Sequence, residues 1–372
     1  MSQDGCSPKL TKSCFSLPYL FFTVAVLVLL GARGARAAVY QGFGATTPGG
    51  APGAVVHITT LADSGPGSLR EAVKLGNRTV VFDVSGTITL TKEISVKGAF
   101  ITIDGFSAPP PGITLVDAGL RLSGNDNTHD VIVQGLRVRN AAPDGINIRD
   151  GAYNIVINHV SIQGANDGSI DITQNASDVT VQWSIFAENV AGHNFLSLVD
   201  YQALRVTFHH NLFVRGQSRN PHSGWDTTLA TTPSDTVTDI RNNLIWNFID
   251  YGTLIKNNTC SNVVQNFYYS ATQTSASRAL HVNNGGRVYA QGNYSLNGAK
   301  VDSQGNKGQP FLATPVDTTD ACTAAQQVWG TAGVRPLDAI DQHYLSTIAL
   351  PSVSCGNSKT TGKTTSKATG KK

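Results

Sequence analysis

Two carboxylate motifs of similar form stand about one repeat apart in this 372-residue chain, Asp144-Gly-Ile-Asn-Ile and Asp167-Gly-Ser-Ile-Asp171-Ile, and Arg219-Asn-Pro-His follows further on. Short β-branched runs begin at Asp130, Asn154 and Arg205. Counted from those starts, Asp144 lies 14 residues on, Asp167 13 and Arg219 14. If the runs stack as parallel strands, such positions share one column on one outer face. Neighbouring strands lie about 4.8 Å apart, so Asp144 and Asp167 could share an ion, with Arg219 roughly 10 Å along the groove. Ligands that are all carboxylate oxygen favour Ca²⁺ over zinc or copper.

Each of these residues also has a plain structural reading. An Asp in a strand-to-strand turn ordinarily makes local bonds to backbone, and an exposed Arg pairs with a surface carboxylate for little gain. His193 and His222 flank the expected cleft and are candidates for substrate binding. Trp225 could stack on a sugar face or simply pack. His209 and His210 invite a metal reading, but adjacent strand residues face opposite ways, which assigns both a structural role.

The elements that must position these groups are strands. From Thr79 onward, runs such as Ile101-Thr-Ile-Asp, Asp130-Val-Ile-Val, Asn154-Ile-Val-Ile and Asp178-Val-Thr-Val recur 22 to 32 residues apart. Within a unit the apolar residues alternate, as in Asn154-Ile-Val-Ile-Asn-His-Val-Ser-Ile, which marks strands with one buried face. Two or three strands per unit, separated by Asn, Asp and Gly turns, fit a rung of a right-handed parallel β-helix, an all-β solenoid. Aligned rungs place Asn211, Asn243, Asn266 and Asn293 at one turn position. There side-chain amides can bond up the stack, and a left-handed backbone costs Asn little. A solenoid needs covered ends. Ser68 and Glu71 have capping-box spacing and predict a short helix over the first rung; residues 320–327 and 336–344 also read as helical.

The ends differ from the body. Residues 1–37 read as a signal peptide, with Lys9 and Lys12 ahead of an apolar run and Ala35-Arg36-Ala37 before the expected start near Ala38. Residues 355–372 are a Lys/Thr-rich tract expected to be disordered, which leaves 38–354 as one β-helix domain. Removing four basic and one acidic residue with the first segment, and five lysines with the last, leaves 19 basic against 24 acidic residues in the body. That acidic body argues against nucleic acid as a partner. Cys260, Cys322 and Cys355 remain after the leader, and a Cys260–Cys322 bridge is one possible pairing. No Cys or His spacing suggests zinc.

Several long motifs in order resemble the pectate lyases of the parallel β-helix type. They include Gly42-Phe-Gly-Ala-Thr-Thr-Pro-Gly-Gly, Asp63-Ser-Gly-Pro-Gly-Ser-Leu-Arg, Val81-Phe-Asp-Val-Ser-Gly-Thr-Ile, Asp167-Gly-Ser-Ile-Asp-Ile, His209-His-Asn-Leu-Phe and Arg335-Pro-Leu-Asp-Ala-Ile-Asp. The resemblance implies a secreted enzyme that cleaves a pectate- or polygalacturonate-like acidic polysaccharide by Ca²⁺-assisted β-elimination. By motif, Asp144, Asp167 and Asp171 resemble the metal ligands and Arg219 of Arg-Asn-Pro resembles the catalytic base. It further implies pectin breakdown by a monomer with no membrane span in the mature protein. The sequence departs from the family pattern at three places. Phe195 follows His193-Asn194 where plant-type members carry lysine, Gly224 replaces a second arginine after Arg-x-Pro, and Ala142 stands where a further acidic ligand is expected. Two other functions fit the scaffold: a polygalacturonase-like glycoside hydrolase, which would need clustered carboxylates and no metal, and a non-catalytic or weakly active polyuronate-binding surface protein whose basic tail holds it to an anionic surface.

Overall fold

The computed structural model describes residues 40–51, 53–225, 236–272, 277–302, 308–351 and 355. The expected leader and nearly all of the basic tail lie outside the described residues. Within them the repeat becomes three parallel sheets of 10, 9 and 9 strands, and the chain visits the first, second and third sheet in turn on each rung. This is the expected parallel β-helix. Its rungs stack β-branched residues directly on one another. Ile101, Val131, Ile155, Val179 and Val206 form one inward column of the first sheet, all fully buried. Each such side chain contributes roughly 1.5–3 kcal/mol through burial, and the stacked columns form the long core.

The Asn ladder is present. The Asn211 backbone N–H and side-chain Nδ2 both donate to Asn243 Oδ1 at 2.9 and 3.0 Å. Asn243 does the same to Asn266, and Asn266 to Asn293. The left-handed backbone falls one residue earlier than expected, at His210, Asn242, Gln265 and Gly292 with φ of 55°, 54°, 55° and 65°. That residue makes the sharp corner, and the following Asn turns its amide inward along the stack.

Two of the three outer faces are covered by the chain itself. A strap over residues 40–51 crosses the first sheet, where Phe43 and Gly44 N–H donate to the Thr207 and Thr180 hydroxyls. A Cβ at Gly44 would meet the Ile155 carbonyl at 2.3 Å, so only glycine allows this approach. The strap explains the long Gly42 motif as structural. Over the second sheet lie α2 (Ala321–Thr331) and α3 (Ala339–Ser346), each capped by an aspartate, Asp320 or Asp338. Buried Arg139 pins α3 through Asp338 and Asp341 at 2.9 and 3.0 Å. At the N-terminal end, α1 (Leu69–Ala72) starts at Ser68, whose hydroxyl accepts from the Glu71 N–H as its spacing predicts. The disulfide joins Cys322 to Cys355, not to Cys260. Cys260 opens a strand of the first sheet, whereas Cys322 rides on α2 over the second. The bridge also fixes Cys355, which the sequence places at the start of the tail. No segment from either end of the described residues crosses the third sheet.

Candidate active site

The outward column of that third sheet runs Ser95, Arg121, Asn147, Asp171, Leu198, His222, Leu254 and His281, one residue per rung. Asp171 lies near its middle. Asp144 and Asp167 sit at the corners that lead into the strands of this sheet, beside Asp171. Extending the pairing of Ile146 with Ile170 back by two residues places Asp144 opposite Gly168, with Asp167 one step earlier. Gly168 pairs with Phe195, and Phe195 with Ser218, so Arg219 falls one step later. The single column expected for Asp144, Asp167 and Arg219 is therefore a cluster spread over three adjacent positions. Asp167 is one residue short in the count itself, and Arg219 falls one late because the corners differ in length: third-sheet rungs advance by 24, then 27, then 23 residues along this stretch.

The carboxylates are held differently. Asp144 is buried and accepts from Asn147 Nδ2 at 2.6 Å and the Gly168 N–H at 2.8 Å. Burial raises its carboxyl above the usual range, and the Asp167 charge adds to the rise. Asp171 is also buried and accepts the Leu198 N–H at 3.1 Å. Burial, followed by the charges of Asp144 and Asp167, pushes Asp171 well above the ordinary carboxyl range, against the Arg219 charge. A Cβ at position 168 would lie 2.3 Å from Asp171 Oδ1, which explains the glycine of the second motif. Asp167 is half exposed and contacts His193 Nε2 at 2.7 Å.

Arg219 has a left-handed backbone, φ 59°, and its guanidinium carbon stands 4.5 Å above the centre of the Phe195 ring. His193 meets the same ring edge-on at 4.6 Å. Asp167, His193, Phe195 and Arg219 thus form one continuous line of contacts. No carboxylate among the described residues pairs with Arg219.

Two expectations need correction. Trp225 is 3% exposed, so its indole packs inside and offers no sugar platform. His222 is equally buried, and burial together with the charges of Lys256 and Arg219 lowers it to about 3, so it is neutral. Its Nε2 lies 4.0 Å from Asp200 Oδ2. A Cβ at Gly224 would lie 2.5 Å from that same Asp200 oxygen, so a side chain there, such as the second arginine of the family pattern, would require the Asp200 carboxylate to move. The His209 and His210 Nδ1 atoms are 2.9 Å apart despite their adjacency in the chain, because the left-handed turn at His210 swings its ring back. Both are buried and uncharged in the interior: burial drives His209 well below the usual range and His210 down to about 4. Their role remains structural.

Sequence reasoning missed three residues. Asn147 stands in register with Asp171, a relation legible from the two aligned Asp-Gly motifs. Glu93 is coupled to Asp144, with burial raising its carboxyl, and nothing in the repeat count pointed to it. Phe195 registered only as a missing lysine. The oxygen-only donor set suits a hard cation, and the buried Asn147 Oδ1, which has no partner, adds a fourth protein oxygen. Among the described residues, no three of these carboxylates bring oxygens within 4.8 Å of one another, so a bound ion would draw them closer.

This chain is 31% identical over 363 residues to the probable pectate lyase C of Aspergillus oryzae, covering 90% of this chain and 80% of that one. The chain belongs to the pectate lyase family. It is therefore a lyase acting on polysaccharides, and the hydrolase and non-catalytic readings give way to that. The probable pectate lyase C of Emericella nidulans is 31% identical over 315 residues, covering 81% and 69%. Among solved structures, the lyase resembles the cedar pollen allergen Jun a 1 (TM-score 0.62, 19% identity, 79% of this chain and 92% of that one). It also resembles a pectate lyase of Bacillus sp. N165 solved with trigalacturonate (TM-score 0.59, 20% identity, 79% and 98%). At those identities the likeness speaks for the β-helix alone. No family model matches the chain.

Proposed function

We propose that this lyase cleaves a polygalacturonate-like polyuronate by β-elimination, with calcium held at Asp144, Asp167 and Asp171 and Arg219 as the base. The observation that carries the reading is the buried, mutually repelling pair of carboxylates beside the Arg219 guanidinium, on the sheet that no terminal segment covers. Calcium at these carboxylates would supply Lewis-acid stabilisation of the charge that develops on the substrate uronate group.

The residues of the chain do the rest. The open groove of the third sheet orients the polymer along the strand stack. Phe195 holds the Arg219 side chain in place from below. Arg219 takes the proton from C5 of the uronate, the C5 electron pair forms the C4=C5 double bond, and the C4–O bond breaks. The leaving glycosidic oxygen then gains a proton from water. Arginine is an unusual base, because its guanidinium is ordinarily protonated throughout the physiological range. His193 orients Asp167 through their contact.

We further propose that residues 1–37 direct export, so the enzyme meets its substrate outside the cell as a monomer. No helix of the described residues is long and apolar enough to cross a membrane. The test is an assay on polygalacturonate that follows the ultraviolet absorbance of the unsaturated product. Product should form with calcium and cease in a chelator; new reducing ends without that absorbance would sink the reading.

A further inference from the structure

The outward column does not stop at the carboxylates. Two rungs toward the N-terminus it reaches Arg121 and three rungs on it reaches Ser95, roughly 10 Å and 15 Å from Asp171 by strand spacing. There a cavity of about 370 Å³ opens. Its lining carries five cations, Arg70, Lys74, Lys92, Lys97 and Arg121, and Glu93 is its one carboxylate. We infer that this cavity is a cationic subsite that binds the carboxylate of a distal uronate residue, extending the groove past the reacting sugar. The inference rests on the lyase reading for the substrate class.

The cavity shows a built framework. Arg70 donates to the Glu93 and Lys92 carbonyls at 2.7 and 2.6 Å and to Asp63, which fixes the turn that presents Lys92. Arg121 is held against Ser95 at 2.8 Å, while its Nε is buried with no hydrogen-bond partner, a donor left for an incoming acceptor. Asp63 offsets Arg70, Glu71 offsets Lys74, and Asp126 is shared by Lys97 and Arg121. Lys92 has no ion-pair partner among the described residues. Glu93 is coupled electrostatically to Asp144, so the cavity and the carboxylate cluster adjoin. Asp126 serves both Lys97 and Arg121, and Lys92 carries no counter-charge among the described residues, so the surplus positive charge of the cavity centres on Lys92, Lys97 and Arg121. A polyanion that meets calcium at Asp171 and cations at Arg121 is bound at two points with a fixed spacing between them.

The test compares the parent protein with Lys92→Ala/Lys97→Ala and Lys92→Glu/Lys97→Glu, all on an Arg219→Ala background that keeps the polymer intact. Binding is read by calorimetry with calcium present, on polygalacturonate and on its fully methyl-esterified form, at low and high salt. Both lysines are exposed, and circular dichroism melting checks that the fold persists. The dissociation constant for polygalacturonate should rise roughly five- to tenfold in the alanine pair and further in the glutamate pair. The difference should shrink at high salt and vanish on the esterified polymer. Equal affinity in all three proteins, or an equal loss on the esterified polymer, would overturn the subsite. If the wild-type enzyme yields no unsaturated product while the lysine variants still bind more weakly, the lyase reading fails and the subsite stands.

Discussion

Arg219 is fixed by packing on a ring face, and that determines how little change it tolerates. A lysine has the charge but neither the planar fork nor the reach to lie on Phe195 in the same way. Arg219→Lys should therefore lower kcat for polygalacturonate by about a hundredfold or more, the size of effect attached to a positioned proton acceptor. Near-wild-type turnover would remove Arg219 as base. Asp171 makes a complementary prediction. Its charge is opposed by burial and two neighbouring carboxylates, so calcium that binds only the folded state should raise the melting temperature at neutral pH. Asp171→Asn should abolish most of that shift while leaving the calcium-free protein as stable or more so, as differential scanning calorimetry would show. These residues were partly legible in the sequence. The two Asp-Gly motifs and Arg-Asn-Pro announced themselves, whereas the Phe195 contact and the burial of Trp225 depend on which corners swell, and alternation within strands says nothing about corners.

Among elements, the asparagine ladder is the feature that sequence reading located best, because a repeat forces equivalent corners into one stack. Only the left-handed residue was displaced by one. Each ladder amide bonds both the rung before it and the rung after it. Asn243→Ala would leave the Asn211 N–H and amide without their shared acceptor in a fully buried place. A loss of about 2–4 kcal/mol of stability follows, measurable by urea titration with an unchanged m-value. The straps and terminal helices were harder to place. Their helical stretches show caps and periodicity, but which outer face they cover is decided by long-range contacts such as Arg139 to Asp341. The Cys322–Cys355 bridge was equally hidden, since it joins α2 to a segment with no pattern of its own.

At the level of the whole molecule, several histidines are buried in neutral form. His209 is driven well below its usual range, His210 to about 4 and His222 to about 3, with burial the main cause each time. Unfolding exposes them to water, where they take up protons near pH 6.5. A depressed folded value gives stability that is present above that pH and is lost as pH falls toward 3–4. The histidines should therefore lower the denaturant midpoint from pH 6.5 to 4, and His222→Phe should remove part of that decline relative to the wild type. The raised carboxyls of Asp144 and Asp171 act in the opposite sense as pH falls, so the ring contribution is read from the difference between wild type and His222→Phe, and identical slopes for the two would remove it.

The third sheet's outer column also bears on where along a polymer the enzyme cuts. Cavities lie on both sides of Asp171, one at Arg121 and a separate one at Tyr251 and His281. A polymer laid along that column would run past both cavities, with no chain end needed to enter. The enzyme can settle across the middle of a strand still anchored at both ends in a gel. Under the proposed reading the enzyme would sever a network between its crosslinks, and the material would soften long before much of it has dissolved.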